Sequence, residues 1–75
     1  MLDWFEKRVK AQMVLTGVKF EDLLGASDKS WRRRLKDPSG MRLYDLAYLV
    51  KRLGFTKEEK EYIVTLLLED AEKEV

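Results

Sequence analysis

The chain contains no cysteine and no histidine. Without cysteine there is no disulfide framework and no thiolate metal site. Without histidine the commonest zinc ligand and the commonest general base are both missing. Carboxylates remain as candidate cation ligands, but no clustered Asp pattern of the kind a cation-binding loop needs is visible. An enzymatic role, a cofactor, a metal and a small-molecule ligand are therefore not expected. Long apolar runs are lacking too. The longest, Ile63 to Leu68, has Thr65 inside it and falls far short of the roughly 20 residues needed to span a bilayer, so no membrane partner is expected. Near the N-terminus Asp3, Glu6, Lys7, Arg8 and Lys10 interrupt any apolar segment, which argues against a signal peptide and for a soluble, cytoplasmic protein.

What is present is a short chain rich in charge. Its 75 residues suit one domain, near the lower end at which a single core suffices without staples. The net charge is only +1, but it is unevenly placed: residues 1–55 carry twelve Lys or Arg against seven Asp or Glu, and residues 56–75 three against seven. Such asymmetry suggests one surface for a polyanion and another for solvent or a partner. No internal repeat and no linker-like shift in composition divides the chain.

Helical periodicity accounts for most of it. A first helix is expected from Asp3 to Leu15, with Phe5, Val9, Met13 and Leu15 inward, Trp4 at the core edge and Gly17 as the stop. A short second helix, Lys19 to Leu24, would turn Phe20, Leu23 and Leu24 inward, with Glu21 and Asp22 in its first turn. Asp37-Pro38-Ser39-Gly40 is a turn signal. Leu43, Leu46, Ala47, Val50 and Leu53 predict a helix over 42–53, closed by Gly54 with Phe55 folded back on its last turn. Thr56 with Glu59 is a capping box opening a last helix, 57–73. That helix has two apolar faces. Tyr62, Ile63, Leu66 and Leu67 would close the core, and Val64, Leu68, Ala71 and Val75 would pack on a second copy, since two-fold dimers are the commonest assemblies.

Most of the chemistry lies between Leu24 and Lys36. Gly25 and a potential N-cap, Ser27, precede a segment with two bulky apolar residues, Trp31 and Leu35, and five Lys or Arg. At about 100° per residue Trp31 and Leu35 share one side, Arg33, Lys29 and Lys36 point the opposite way, Ser30 and Arg32 flank them, and Arg34 lies nearer the apolar edge. A rigid rod of about 10–12 Å carrying cationic donors matches the major groove of B-DNA, about 12 Å wide.

The run Leu24-Gly25-Ala26-Ser27, followed by Ser30-Trp31-Arg32-Arg33-Arg34-Leu35-Lys36-Asp37-Pro38, resembles the turn and recognition helix of the Cro/CI-type (lambda repressor-like) helix-turn-helix family of phage and bacterial regulators. Met41 to Ala47 and Val50 to Phe55 resemble that family's fourth helix and its exit, so the likeness covers roughly Phe5 to Phe55. Three features differ from the family pattern: Glu21 stands where a small residue is usual, Leu35 follows Trp31 by four positions, where three is commoner, and the link from the first helix to the second is shortened, with Gly17 only eight residues before Gly25. The resemblance implies an all-α, compact five-helix domain whose second motif helix enters the major groove while the first crosses the backbone, acting as a transcriptional repressor in a bacterial cell. On that reading Arg33, Lys29 and Ser30 meet base edges, and Arg32, Lys36 and Ser27 meet phosphates, with Arg42 and Tyr44 in reach of a further phosphate. The rival expectation is a small helical protein-interaction module, antitoxin-like or a phage accessory protein, whose basic helix docks on an acidic protein surface.

Overall fold

A computed structural model describes residues 3–73. Four α-helices follow one another: α1 (Asp3–Thr16), α2 (Asp28–Lys36), α3 (Leu43–Arg52) and α4 (Lys57–Lys73). Two single 3-10 turns, Phe20–Asp22 and Pro38–Gly40, bracket α2, and no strand forms among the described residues. The Cα radius of gyration, 11.8 Å, is near the roughly 11 Å expected of a packed chain this long.

The helix ends form as their residue types dictate. At the end of α1 the Val18 N–H donates to Met13 O (3.0 Å) and the Gly17 N–H to Val14 O (3.3 Å). At the end of α3 the Phe55 N–H donates to Val50 O (3.1 Å) and the Gly54 N–H to Lys51 O (3.3 Å). Both are Schellman closures with glycine at positive φ, +74° and +71°, and in both the next residue, Val18 or Phe55, is buried as the accompanying apolar contact. The α4 capping box is formed: Thr56 Oγ1 accepts from the Glu59 N–H (3.2 Å), and Glu59 Oε1 accepts from the Thr56 N–H (3.3 Å).

One core joins the elements: Phe5, Val9 and Met13 from α1, Val18 and Leu23 from the loop, Trp31 and Leu35 from α2, Leu49 and Leu53 from α3, then Phe55 and, from α4, Ile63. Polar links tie its rim. The Trp4 indole donates to Asp70 (3.3 Å) across α1 and α4, and Gln12 Nε2 donates to the Leu53 carbonyl (2.8 Å) at the end of α3. Arg8 pairs with Glu59 and lies 4.9 Å from the Phe55 ring centroid.

Several expectations are corrected. The segment Lys19–Leu24 is not an α-helix, so the α-helices number four, not five, and no α-helix directly precedes α2. Six residues offer few hydrogen bonds to offset the cost of nucleating a helix. A 3-10 turn instead eclipses positions three apart; it buries Leu23, half-buries Phe20, and leaves Leu24 exposed. Glu21 is exposed as well. In α1, Leu15 is exposed, and Val18 beyond the cap takes its place in the core. In α3 Leu46 and Val50 pack on the core and Leu53, just past the last turn, is buried, as expected, but the buried residue within the helix is Leu49, and Leu43 and Ala47 face outward. This orientation leaves Leu43 78% exposed, and it brings Asp45 and Tyr48 to partners in and before α2. In α4 the core face centres on Ile63, with Leu66 and Leu67 half-buried, and Tyr62 is exposed.

Candidate nucleic-acid interface

The basic segment becomes a nine-residue helix, α2, because its start and its apolar side are both well specified. Ser27 is the N-cap, in extended backbone geometry, and its Oγ accepts from the Ser30 N–H (3.2 Å). Its hydroxyl also meets Ser30 Oγ at 3.1 Å. Of the nine residues only Trp31 and Leu35 are strongly apolar, and both are buried, at 1% and 0% exposure. Burying such a pair contributes about 1.5–3 kcal/mol per side chain and fixes the rotation of the whole rod. Ser27→Ala removes the cap and is expected to cost about 0.5–2 kcal/mol, read as a drop in thermal midpoint of several degrees by circular dichroism, with the helix content at low temperature unchanged.

Two aromatic tips hold the chain just before the cap. The Trp31 indole N–H donates to the Leu24 carbonyl (3.3 Å), and the Leu24 N–H donates to Tyr48 Oη (3.0 Å). The two rings lie 6.0 Å apart. Leu24 itself projects outward while its backbone is clamped from both sides, so the loop enters α2 along one path. At the far end the Asp37 N–H donates to Arg33 O (3.0 Å). The Asp37 carboxylate accepts from the Ser39 hydroxyl (2.6 Å) and the Ser39 N–H (3.3 Å). Those two bonds hold its pKa below the ordinary carboxylate value against a small desolvation effect. Their contribution is thus complete above that ordinary value and is lost as pH falls through the lowered one, so this turn is intact at neutral pH.

Opposite the buried pair, Lys29, Arg33 and Lys36 are exposed, and none has a carboxylate within 4.0 Å among the described residues. Ser27 is exposed beside them at the helix start, whereas Ser30 is half-buried with its hydroxyl engaged by the cap. Arg32 is exposed but held, its Nε donating to Asp28 (2.8 Å). Arg34 lies on the inner edge, 4.9 Å from the Trp31 ring centroid, with Nη1 3.8 Å from Asp45 Oδ2. Arg42 is the N-cap residue of α3 without a side-chain capping bond, and Tyr44 in the first turn is 83% exposed. The neighbouring Asp45, facing Arg34, ties that turn of α3 to α2. Arg34 stands at the apolar edge as its helical position predicts, whereas the supporting role of Tyr48 was missed by sequence reasoning. The pairing of Tyr48 with Leu24 spans 24 positions, which no local pattern signals.

No family model, curated protein or solved structure matches the chain. Among the described residues no group of three or more carboxylates is placed to hold a metal ion, and no helix is long and apolar enough to cross a membrane.

The second apolar face of α4 stays open. Val64 is 42% exposed and Leu68 57%, and Ala71 is also exposed. Val75, expected on the same face, lies outside the described residues.

Proposed function

We propose that the chain binds double-stranded DNA with α2 as the reading helix, in the manner of the Cro/CI-type regulators it resembles, and acts as a phage or prophage transcriptional repressor. One observation carries the reading: α2 is pinned to the core by Trp31 and Leu35 while Lys29, Arg33 and Lys36 stand open on its other side, unpaired among the described residues. A cationic face that projects from a fixed rod suits a groove. On this reading Arg33 and Lys29, near the pole opposite Trp31, meet base edges, where Arg can pair bidentately with guanine. Ser30 sits at the flank of that face. On the same reading Lys36 and Arg32, Ser27 at the helix start, and Arg42 with Tyr44 at the start of α3 meet phosphates, which position a protein on the duplex without reading sequence. The 3-10 turn before α2 then takes the place of the first motif helix.

A lone α2 offers few base contacts. A two-fold dimer reads two half-sites about 34–36 Å apart, and the open Val64, Leu68 and Ala71 face supplies a surface through which a second copy packs. Sedimentation of the wild type and Leu68→Glu tests this: a dimer that the substitution turns to monomer is expected, and two monomers would refute it.

DNA binding itself is tested by fluorescence titration with an arbitrary duplex at two salt concentrations. Roughly micromolar binding at low salt that weakens steeply as salt rises is expected, because phosphate contacts release counterions. No binding at low salt would contradict the reading and point to an acidic protein as the partner of α2.

A further inference from the structure

Arg32 is restrained unlike the other exposed cations of α2. Its Nε donates to Asp28 Oδ1 at 2.8 Å, one turn earlier on the same helix. Its guanidinium carbon lies 4.3 Å from the centroid of the Phe20 ring, which the first 3-10 turn presents. One edge of the planar group and one face are thereby occupied. Of five N–H donors Nε uses one, and the two Nη groups make no hydrogen bond among the described residues. An exposed arginine loses rotamer freedom when it captures a ligand, whereas a fork already fixed in place loses less. Arg32 also borders an open groove between α1 and the 3-10 turn, which Lys10 and Lys19 line together with the carboxylates Glu21 and Asp28. This is the flank of the cationic face, where a strand backbone would pass.

We propose that Arg32 is a pre-oriented two-pronged phosphate binder, with Phe20 and Asp28 as its positioning residues and a phosphodiester of the DNA strand beside α2 as its ligand. The proposal rests on the DNA reading above and gives the 3-10 turn a task, that of holding the ring under the fork. Asp28 has a double effect: it offsets part of the Arg32 charge, and by taking Nε it leaves the Nη pair to meet two phosphate oxygens end-on.

Two charge-neutral substitutions isolate the geometry. Phe20→Leu keeps an apolar contact but removes the flat ring, and Arg32→Lys keeps the charge but removes the fork. In a duplex titration at fixed salt each is expected to weaken binding about two- to tenfold, with the salt slope unchanged because no charge is removed. The double variant should bind no more weakly than Arg32→Lys alone. In the free protein the Arg32 Nε proton should show a slowly exchanging resonance in the wild type that broadens in Phe20→Leu. Equal binding by wild type and Arg32→Lys would overturn the fork alone, as would losses that multiply in the double variant. Wild type that binds no duplex would overturn the DNA reading and this proposal with it. Arg32 is exposed, so Arg32→Lys reports even where Phe20→Leu lowers stability.

Discussion

Trp31→Ala is expected to remove a large part of the chain's stability. A domain of this length has about 4–11 kcal/mol of stability, at roughly 0.05–0.15 kcal/mol per residue. Removing a buried tryptophan costs about 3–5 kcal/mol, through the forfeited transfer energy and the cavity left behind. Trp31 is 1% exposed and is the one indole that joins α2, the Leu24 carbonyl and Tyr48. The substitution therefore empties the centre of the core and also loosens the loop that feeds α2. Trp31→Phe retains most of the ring packing on Tyr48 but gives up the bond to Leu24 and leaves a smaller void, a change of about 1–3 kcal/mol. Urea titration followed by circular dichroism separates the two: a modest shift of midpoint for Phe, and a midpoint at much lower urea for Ala. An Ala variant as stable as wild type would mean that the anchor of α2 lies elsewhere.

Arg33→Ala should do the reverse, leaving stability within about 0.5 kcal/mol, as is usual for an exposed side chain outside any network. Its effect is expected in binding. A side chain that reads a guanine edge is worth about 1–3 kcal/mol of discrimination, roughly five- to 150-fold. The loss should fall on the preferred duplex at one position and leave other duplexes nearly unaffected. Lys36→Ala provides the contrast, because removing a cation that meets a phosphate weakens binding to all sequences alike and lowers the salt slope by about 1. Duplexes chosen by selection from a random pool, then titrated against wild type and both variants, give the comparison. Equal binding of the selected duplex by wild type and Arg33→Ala would remove Arg33 from the reading surface.

Legibility from sequence followed the range of each interaction. The Ser27 cap, the Thr56 and Glu59 box and the Gly54 and Phe55 closure each act within five residues, and residue type alone signals them. The faces of α2 were legible because its two large apolar residues admit one orientation. α3 was different. Leu43, Leu46, Ala47, Leu49, Val50 and Leu53 supply two overlapping helical stripes, and the choice between them falls to Asp45 and Tyr48, whose partners are Arg34 and the Leu24 N–H. Those partners belong to another part of the chain. The segment Lys19–Leu24 has helical residues but too few of them, and tertiary burial of Leu23 and Val18 outweighs its weak helical preference. The ring of Phe20 beneath Arg32 depends on that turn, so the supporting geometry of the site was invisible although its exposed cations were not.

The most direct test is a residue-by-residue map of DNA contact, obtained by adding a duplex to the isotopically labelled protein and following its backbone amide resonances. Expected are shifts concentrated at Ser27 to Lys36, with a second group at Arg42 to Tyr44 and the amides of α4 unmoved. Shifts confined to α4, or none at low salt, would contradict the claim that the open side of α2 is a DNA-binding surface.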